Sequence, residues 1–309
     1  MVNSKAKMNK ILDEAVKFAE PNGDGKVAEY IPELASVDDK ITNIGIKAVQ
    51  GDVYQAGNAS DTVFTLQSAA KLIVLIGLLE EAGPQKVFSW VKTEPSGDDF
   101  ASLARLDQFG PMPSNPLINA GAIALCSYLA GNLDDHLRWL DQWAERLFGE
   151  KLNVNVTVCA SERRTGDRNR SLTYLMLSTG VITGDANKIL EIYFHLCSFE
   201  ANIRQAAHLP MLLANLGKNE KGEQVISKQT AQAVVSIMAT CGLYNESGAH
   251  LVKTGMPAKS AVSGLIVAVA PKQAGIAVYS PKVNKKGTSI RGAMMLEYVS
   301  QHLDWHFLN

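Results

Sequence analysis

The chain has 309 residues, with 30 Lys and Arg against 31 Asp and Glu, a formal net charge of -1 and 46% apolar residues. This length buries a sizeable core, and the composition is that of a globular protein rather than of a disordered or fibrous one. A near-neutral charge without a basic cluster excludes a nucleic-acid binder that relies on a positive field. The longest apolar stretch, residues 72–79, is too short to span a membrane.

The cysteines and the N-terminus predict a cytoplasmic protein. Residues 1–20 are polar with scattered charges and lack the apolar core of a secretion signal. The cysteines are well separated along the chain, which is typical of buried thiols in a reducing compartment and matches neither a disulfide framework nor a zinc site. They are Cys126, Cys159, Cys197 and Cys241. These features favour an enzyme or binding protein for a small molecule.

In chain order, the sequence predicts an N-terminal helix, a hairpin and a long helical part. The first helix covers about residues 6–19 and ends at a Pro-Asn-Gly breaker. Two β-rich runs, 41–49 and 53–56, flank a Gly-Asp turn that is typical of a hairpin. Apolar residues at three- and four-residue spacing then predict helices over 68–82, 118–130, 133–148, 170–178, 187–197, 201–216 and 228–241.

Strands return at the C-terminal end, over 262–270 and 275–279, before a closing helix at about 289–303. A lone hairpin is marginal in water, and strands are predicted only at the two ends of the chain. We therefore predict a single α+β catalytic domain over 1–309. An antiparallel sheet from about 1–65 and 250–309, flanked by helices, lies beside a helical lobe of about 66–249. A small ligand would bind in the cleft between the lobes.

The sharpest local motif is Ser68-x-x-Lys71, at the start of an apolar helix. Three-residue spacing puts both side chains on one helix face, and the first turn favours an oxyanion through its unpaired N–H groups. Lys71 would serve as a base for the hydroxyl if burial lowered its pKa from about 10.4 towards 7. The motif also arises by chance, and a serine at a helix start is commonly a cap, so the motif alone leaves both interpretations open.

A second motif, Lys259-Ser260-Ala261, lies where a loop enters the first C-terminal strand. Serine acyl-transfer sites of the penicillin-recognising type combine Ser-x-x-Lys with Lys-[Ser/Thr]-Gly on an edge strand, so the match here is partial. Lys259 would supply positive charge across the cleft. Tyr244, at a helix end, is either a packing residue or a proton shuttle beside the two lysines.

Histidines and glycines support no rival chemistry. The 6 histidines show no metal-ligand spacing; His302 and His306 share a helix face, but near a chain end where a solvated surface is expected. No glycine-rich phosphate loop follows a predicted strand, and no Gly-x-Ser-x-Gly elbow is present. The sequence therefore predicts no metal site and no nucleotide site.

Taken together, the motifs resemble the bacterial-type glutaminases, which belong to the serine β-lactamase and penicillin-binding superfamily. They occur in family order from about residue 27 to 292, so the resemblance covers nearly the whole chain. The matching segments are 27–35, 64–71, 94–98, 115–122, 161–162, 168–170, Tyr193, 242–245 and 257–262.

The resemblance implies a β-lactamase/transpeptidase-like fold and hydrolysis of L-glutamine to L-glutamate and ammonia, without a metal or an organic cofactor. It implies Ser68 as the nucleophile at the side-chain amide carbon, with Lys71 as its base. Tyr244 would protonate the leaving ammonia and later activate water. The backbone N–H groups of Ser68 and Val262 would form the oxyanion hole.

The resemblance also implies where the substrate binds. The implied positions are Tyr30, Gln67, Ser68, Asn119, Glu162, Asn169, Tyr193, Tyr244 and Val262. Glu162 suits the α-ammonium group, while the amides of Asn119 and Asn169 and the hydroxyl of Tyr30 suit the α-carboxylate. From the residues alone, a surface ion pair is the favoured interpretation of Glu162, and a helix cap that of Asn119.

The chain departs from the family pattern near both motifs. Ala70 stands where family members commonly have Ser, and Ala261 and Leu265 stand at common glycine positions. Alanine and leucine restrict φ where glycine is free, and both flank Val262, so the sequence leaves pocket width and turnover open. No catalytic group is removed, which leaves a weaker or altered amidase as an alternative.

Two other functions remain open. A β-lactam or peptide hydrolase would use the same machinery, but the absent secretion signal disfavours it. A non-catalytic amino-acid sensor would not need a nucleophile together with its base. We therefore favour a glutaminase whose partner is L-glutamine, with no nucleic acid and no membrane, and the resemblance suggests a homotetramer or homodimer.

Overall fold

The computed structural model describes residues 2–97, 102–103, 110–129 and 131–309, with side chains from residue 5 onward. The strands are β1 Asn43–Ala48, β2 Val53–Gly57, β3 Phe64–Thr65, β4 Asn153–Val154, β5 Phe199–Ala201, β6 Ala258–Ser260, β7 Leu265–Ala270 and β8 Ala274–Tyr279. The helices are α1 Val2–Ala19, α2 Pro32–Ala35, α3 Lys71–Ala82, α4 Pro84–Trp90, α5 Asn119–Ser127, α6 Leu133–Phe148, α7 Val156–Thr165, α8 Asp167–Ser178, α9 Ala186–Cys197, α10 Ile203–Ala206, α11 His208–Ala214, α12 Lys228–Cys241, α13 Ser247–Thr254 and α14 Ile290–Leu303. Two 3₁₀ turns, Gln67–Ala70 and Tyr244–Glu246, precede α3 and α13.

The main sheet joins the two ends of the chain, which confirms the predicted architecture. Its five strands run antiparallel in the order β2-β1-β8-β7-β6, with Asn43 opposite Tyr279 where the N-terminal hairpin meets the C-terminal strands. The backbone groups on the inner edge of the β1–β2 hairpin form hydrogen bonds with β8 instead of with water. Neither the N-terminal hairpin nor the C-terminal strands therefore need to be stable alone. β6 is left at the edge of the sheet.

Both faces of the sheet are buried, because its side chains alternate between two cores. Along β7, Ile266 and Ala268 pack with α1 and α14, whereas Val267 and Val269 pack with the helical part. A strand that is covered on both sides needs apolar residues at every position, and β7 reads Leu-Ile-Val-Ala-Val-Ala. Gly275 allows α11 to approach β8 closely, since a Cβ there would lie 2.0 Å from the Met211 nitrogen.

Several features of the predicted organisation were wrong. β4 and β5 lie inside the predicted helical part and form a small second sheet with β3, which lies just before it. Strands of two or three residues are too short to show an alternating pattern. The segment 201–216 is not one helix, because β5 takes residue 201 and α10 and α11 share the remainder. Helices α2, α4, α7 and α13 were missed, and α7 has a largely polar sequence without an apolar stripe.

Val262 does not lie in a strand, contrary to the prediction for 262–270. Residues 261–264 form a turn between β6 and β7, closed by a 3.0 Å hydrogen bond from the Gly264 N–H to the Ala261 carbonyl. Gly264 has φ +96°, and a Cβ there would lie 2.3 Å from the Ser280 carbonyl oxygen. The sequence pattern missed this turn because the residues before Gly264 have ordinary strand composition.

No helix in the described part of the chain is long and apolar enough to cross a membrane.

Candidate active site

A cavity of about 350 Å³ is lined by most of the site residues predicted from the sequence. Its lining consists of Tyr30, Gln67, Ser68, Asn119, Glu162, Thr165, Gly166, Arg168, Asn169, Tyr193, Cys197 and Val262. Lys71 and Lys259 are fully buried, and Tyr244 connects them, since Lys259 donates to its hydroxyl and the Lys71 Nζ lies 6.0 Å from its ring centre. Residues far apart in sequence therefore meet at one site.

Ser68 lies in the 3₁₀ turn before α3 and is not the N-cap, a position that Leu66 occupies. The preceding residue, Gln67, is buried and has φ +46°, a left-handed conformation that is uncommon for a side chain of this size. Backbone strain of this kind is retained where surrounding packing holds it, and it is concentrated at functional sites. Because the turn continues directly into α3, Ser68 stands at the positive end of that helix.

Lys71 is fully buried among neutral oxygen acceptors. Its Nζ donates to the Asn119 Oδ1 at 2.7 Å and to the Leu117 carbonyl at 3.2 Å. Burial lowers the pKa of Lys71 to about 8, because an ammonium ion loses its hydration there without gaining a carboxylate. Near physiological pH, Lys71 is therefore neutral much more often than an exposed lysine and is able to accept a proton.

Lys259 comes from the edge strand β6 and binds the Tyr244 turn. Its Nζ donates to the carbonyls of Gly242 (3.1 Å) and Ser260 (2.5 Å) and to the Tyr244 Oη at 3.2 Å. Burial and the nearby Lys71 lower the pKa of Lys259. Tyr244 has φ +54°, so its backbone, like that of Gln67, adopts the left-handed conformation.

Glu162 is buried and is not the surface ion pair that its sequence context favours. Arg163 pairs with Glu191 instead, and Arg164 donates to the Ser161 hydroxyl. The Glu162 Oε1 accepts a 2.6 Å hydrogen bond from the hydroxyl of Tyr30. Burial raises the pKa of Glu162 even though this bond lowers it, and the same burial with the adjacent carboxylate raises the pKa of the Tyr30 hydroxyl.

Asn119 lies between the lysine and the cavity. It is the first residue of α5, yet its side-chain amide oxygen does not cap the helix and instead accepts a hydrogen bond from Lys71. Its Nδ2 donates to the Asn169 Oδ1 at 2.9 Å. Both amides line the cavity, so Lys71 is connected directly to Asn119 and, through it, to a second neutral hydrogen-bonding group, Asn169.

The substitutions beside Val262 do not strain the turn that carries it. Neither Ala261 nor Leu265 is among the described residues with positive φ, so these two positions do not need glycine here. Ala261 donates from its N–H to the Leu265 carbonyl at 2.8 Å. Val262 packs beside Ile31 and Leu34 and reaches the cavity. The side chains of Ala261 and Leu265 therefore do not strain the backbone at this turn.

Four cavity residues were missed by sequence reasoning: Thr165, Gly166, Arg168 and Cys197. Thr165 and Gly166 follow Glu162 at the end of α7, and a Cβ on Gly166 would lie 2.5 Å from the ring of Phe194. A signal existed for Cys197, which is four residues after Tyr193 and so lies on the same helix face. Among the described residues, no group of three or more His, Cys, Asp and Glu side chains could hold a metal ion.

The antiparallel sheet flanked by helices, with Ser68-x-x-Lys71 facing a lysine on the edge strand, is the β-lactamase-like fold. The glutaminase family model matches residues 25–308. A glutaminase of Legionella pneumophila (strain Philadelphia 1) is 52% identical over 307 residues, 99% of each chain, and one of Clostridium tetani is 40% identical over 97% of this chain and 98% of its own.

Solved structures agree. A structure of a probable glutaminase, ybaS, has a TM-score of 0.93 at 34% identity and covers 97% of both chains. A Bacillus glutaminase has a TM-score of 0.88 at 32% identity, covering 97% of this chain and 99% of its own. The chain belongs to the glutaminase family.

Proposed function

We propose that this protein hydrolyses L-glutamine to L-glutamate and ammonia through an acyl-enzyme on Ser68. The observation that carries the proposal is the buried Lys71, held by neutral acceptors beside a cavity that contains both a serine hydroxyl and a buried carboxylate. Family membership gives the reaction, and the geometry suggests how each group takes part.

The hydrogen bonds of Lys71 suit a general base. A neutral amine has two N–H groups and one lone pair, and two acceptors, Asn119 and Leu117, account for both N–H groups. The lone pair is then left for the Ser68 proton. Ser68 Oγ attacks the side-chain amide carbon of glutamine while Lys71 takes its proton, and the N–H groups of Ser68 and Val262 stabilise the resulting oxyanion.

Tyr244 is proposed as the proton shuttle in the following steps. Its phenolic proton passes to the amide nitrogen as the C–N bond breaks, and ammonia leaves. Water then attacks the acyl carbon and gives one proton to the Tyr244 oxygen. As the ester bond to Ser68 breaks, Lys71 returns its proton to the serine oxygen, which releases glutamate and restores free Ser68 and neutral Lys71. Lys259 supports this role, because its hydrogen bond to the Tyr244 Oη stabilises the phenolate that forms after Tyr244 has given up its proton.

Recognition of the α-amino acid group is assigned to polar side chains that line the cavity. Glu162 pairs with the α-ammonium, while the amides of Asn119 and Asn169 and the Tyr30 hydroxyl bind the α-carboxylate. Gln67 and Tyr193 complete the wall. The net charge of -1 suits a zwitterionic substrate, since recognition falls to local groups rather than to a global field.

The experiment that tests the function compares substrates. Purified protein is assayed for ammonia release from L-glutamine and L-asparagine and for hydrolysis of a chromogenic β-lactam. We expect turnover of glutamine. Hydrolysis of the β-lactam alone would favour the alternative hydrolase, and binding of glutamine without ammonia release would favour an amino-acid sensor.

Replacing Glu162 by Gln tests the assignment of the ammonium partner. We expect KM for glutamine to rise about 10- to 100-fold with a smaller change in kcat, because a hydrogen bond to a charged group contributes about 1.5–3 kcal/mol. Glu33→Gln is the matched control. Glu33 lies on α2, accepts a hydrogen bond from Ser161, the neighbour of Glu162 on α7, and does not line the cavity. An unchanged KM in the Glu162 variant would assign the ammonium group to another partner.

The proposal extends to the domain organisation, the location and the oligomeric state of the protein. The sheet lobe and the helical lobe act as one catalytic unit, which is supported by a site that takes Lys259 from one and Ser68 from the other. A cytoplasmic location is supported by four buried, unpaired cysteines, and cell fractionation tests it. A homotetramer or homodimer rests on the family resemblance, and light scattering measures it.

A further inference from the structure

Cys197 is the cavity residue for which the proposed reaction assigns no task. It is the last residue of α9, is 5% exposed and lines the cavity together with Ser68 and Glu162. Tyr193 stands one turn earlier on the same helix, with its hydroxyl beside the thiol. α9 also packs against the 3₁₀ turn that carries Ser68.

Charged and titratable groups surround Cys197 from several elements. They are Glu162 and Cys159 on α7, Lys71 on α3, Lys259 on β6, Cys126 on α5, Tyr193 on α9 itself, and Tyr30 before α2. Cys197 lines the same cavity as Asn119, the acceptor of Lys71, and α9 packs against the turn that leads directly into Lys71. In agreement with this placement, a negative charge at position 197 raises the pKa of both buried lysines. The charge at this position therefore bears on the base that the mechanism needs.

Three physical features keep the thiol of Cys197 uncharged. It is buried, it faces the carboxylate of Glu162, and it lies at the C-terminal end of a helix, where the dipole disfavours an anion. Burial and Glu162 raise the pKa of Cys197 to about 12 although Lys71 opposes them. The thiol is thus a polar but neutral part of the wall at physiological pH.

We infer that Cys197 is a positioning residue for the proposed reaction, a small neutral side chain that keeps a second anion away from Lys71 so that the lysine can lose its proton. The inference rests on the proposed function and deepens it. A carboxylate or thiolate at this place would give Lys71 the charged partner that its own hydrogen bonds, to Asn119 and Leu117, avoid. Glu162 remains available for the substrate ammonium.

The test is the pH profile of kcat/KM for glutamine in Cys197→Asp and its neutral isostere Cys197→Asn, beside wild type and Cys197→Ser. In wild type, kcat/KM should rise with pH through about 8, as Lys71 loses its proton. We expect Cys197→Ser and Cys197→Asn to keep this midpoint, whatever their absolute rates. Cys197→Asp should move it upward by about 1–2 pH units, the effect of a nearby opposite charge.

At neutral pH, kcat/KM of the Asp variant should fall about 10- to 100-fold below that of the Asn variant and approach it again in alkaline solution. The reason is that a tenfold higher proton affinity of Lys71 leaves about a tenfold smaller neutral fraction below the midpoint. If both variants hydrolyse glutamine and the pH midpoints of kcat/KM in Cys197→Asp and Cys197→Asn coincide, this inference is overturned while the proposed function stands. A wild-type protein that releases no ammonia would overturn the proposed function and this inference with it.

The conservative variant keeps the test independent of whether the Asp variant folds. Serine keeps a small hydroxyl donor but cannot form a thiolate. If Cys197→Ser displaced the midpoint, or lost a thousand-fold or more in kcat while retaining the wild-type thermal unfolding curve, the thiol would have an ionised or covalent role. Either result would contradict the neutral positioning role.

Discussion

Ser68→Ala should abolish glutamine hydrolysis, with kcat falling on the order of 10⁴- to 10⁶-fold. The loss follows because the substitution removes the hydroxyl that attacks the substrate, in the turn that leads directly into its base, Lys71. Ammonia release at saturating glutamine measures kcat, and isothermal titration measures whether the variant still binds glutamine. We expect binding to persist, since Glu162, Asn119 and Asn169 are untouched.

Ser89→Ala is the control for this change, because Ser89 is exposed on α4 and donates only to the Lys86 carbonyl. It should hydrolyse glutamine at the wild-type rate. Substantial turnover in a folded Ser68→Ala protein would remove the acyl-enzyme from the mechanism. Water activated directly by Lys71 or Tyr244 would then be the simplest replacement.

Lys71→Met should lower kcat/KM about 10²- to 10⁴-fold at neutral pH, the usual contribution of a general base. Methionine keeps the length and apolar stem of the buried side chain and removes only the amine. In wild type, kcat/KM rises with pH through about 8, because the lowered pKa leaves Lys71 protonated below that value and neutral above it. In the variant this rise should disappear.

Lys253→Met is the matched control, since Lys253 is an exposed lysine on α13 that pairs with Glu297. Its pH profile should superimpose on that of wild type. The double variant Ser68→Ala with Lys71→Met should lose about as much as Ser68→Ala alone, because residues that act as a unit are not additive. A wild-type rise through pH 8 that survives in Lys71→Met would assign the base to another group.

Large parts of the fold could be predicted from periodicity and local chemistry. The hairpin β1–β2, the apolar strands β7 and β8, and most helices have patterns that depend on near neighbours in sequence, and pairing of the two chain ends follows from the instability of isolated strands. Elements of two to four residues, such as β3 and β4, could not be predicted, because they form only where the surrounding chain positions them.

The site divides in the same way. The sequence by itself determined the three-residue spacing of Ser68 and Lys71 on one helix face and, through ordered motifs, the set of residues around the substrate. These are local or family properties that a single chain displays. They set which functional groups are available, and they are sufficient to indicate the resemblance to the glutaminases.

Only the tertiary structure decided what those groups can do. Burial lowers the pKa of Lys71, the edge strand brings Lys259 to the Tyr244 hydroxyl, and long-range packing holds Gln67 in a left-handed backbone conformation. It also placed Val262 in a turn and made Cys197 part of the cavity wall. Desolvation and contacts between distant segments depend on the whole packed chain, and so composition, charge and spacing could not supply them.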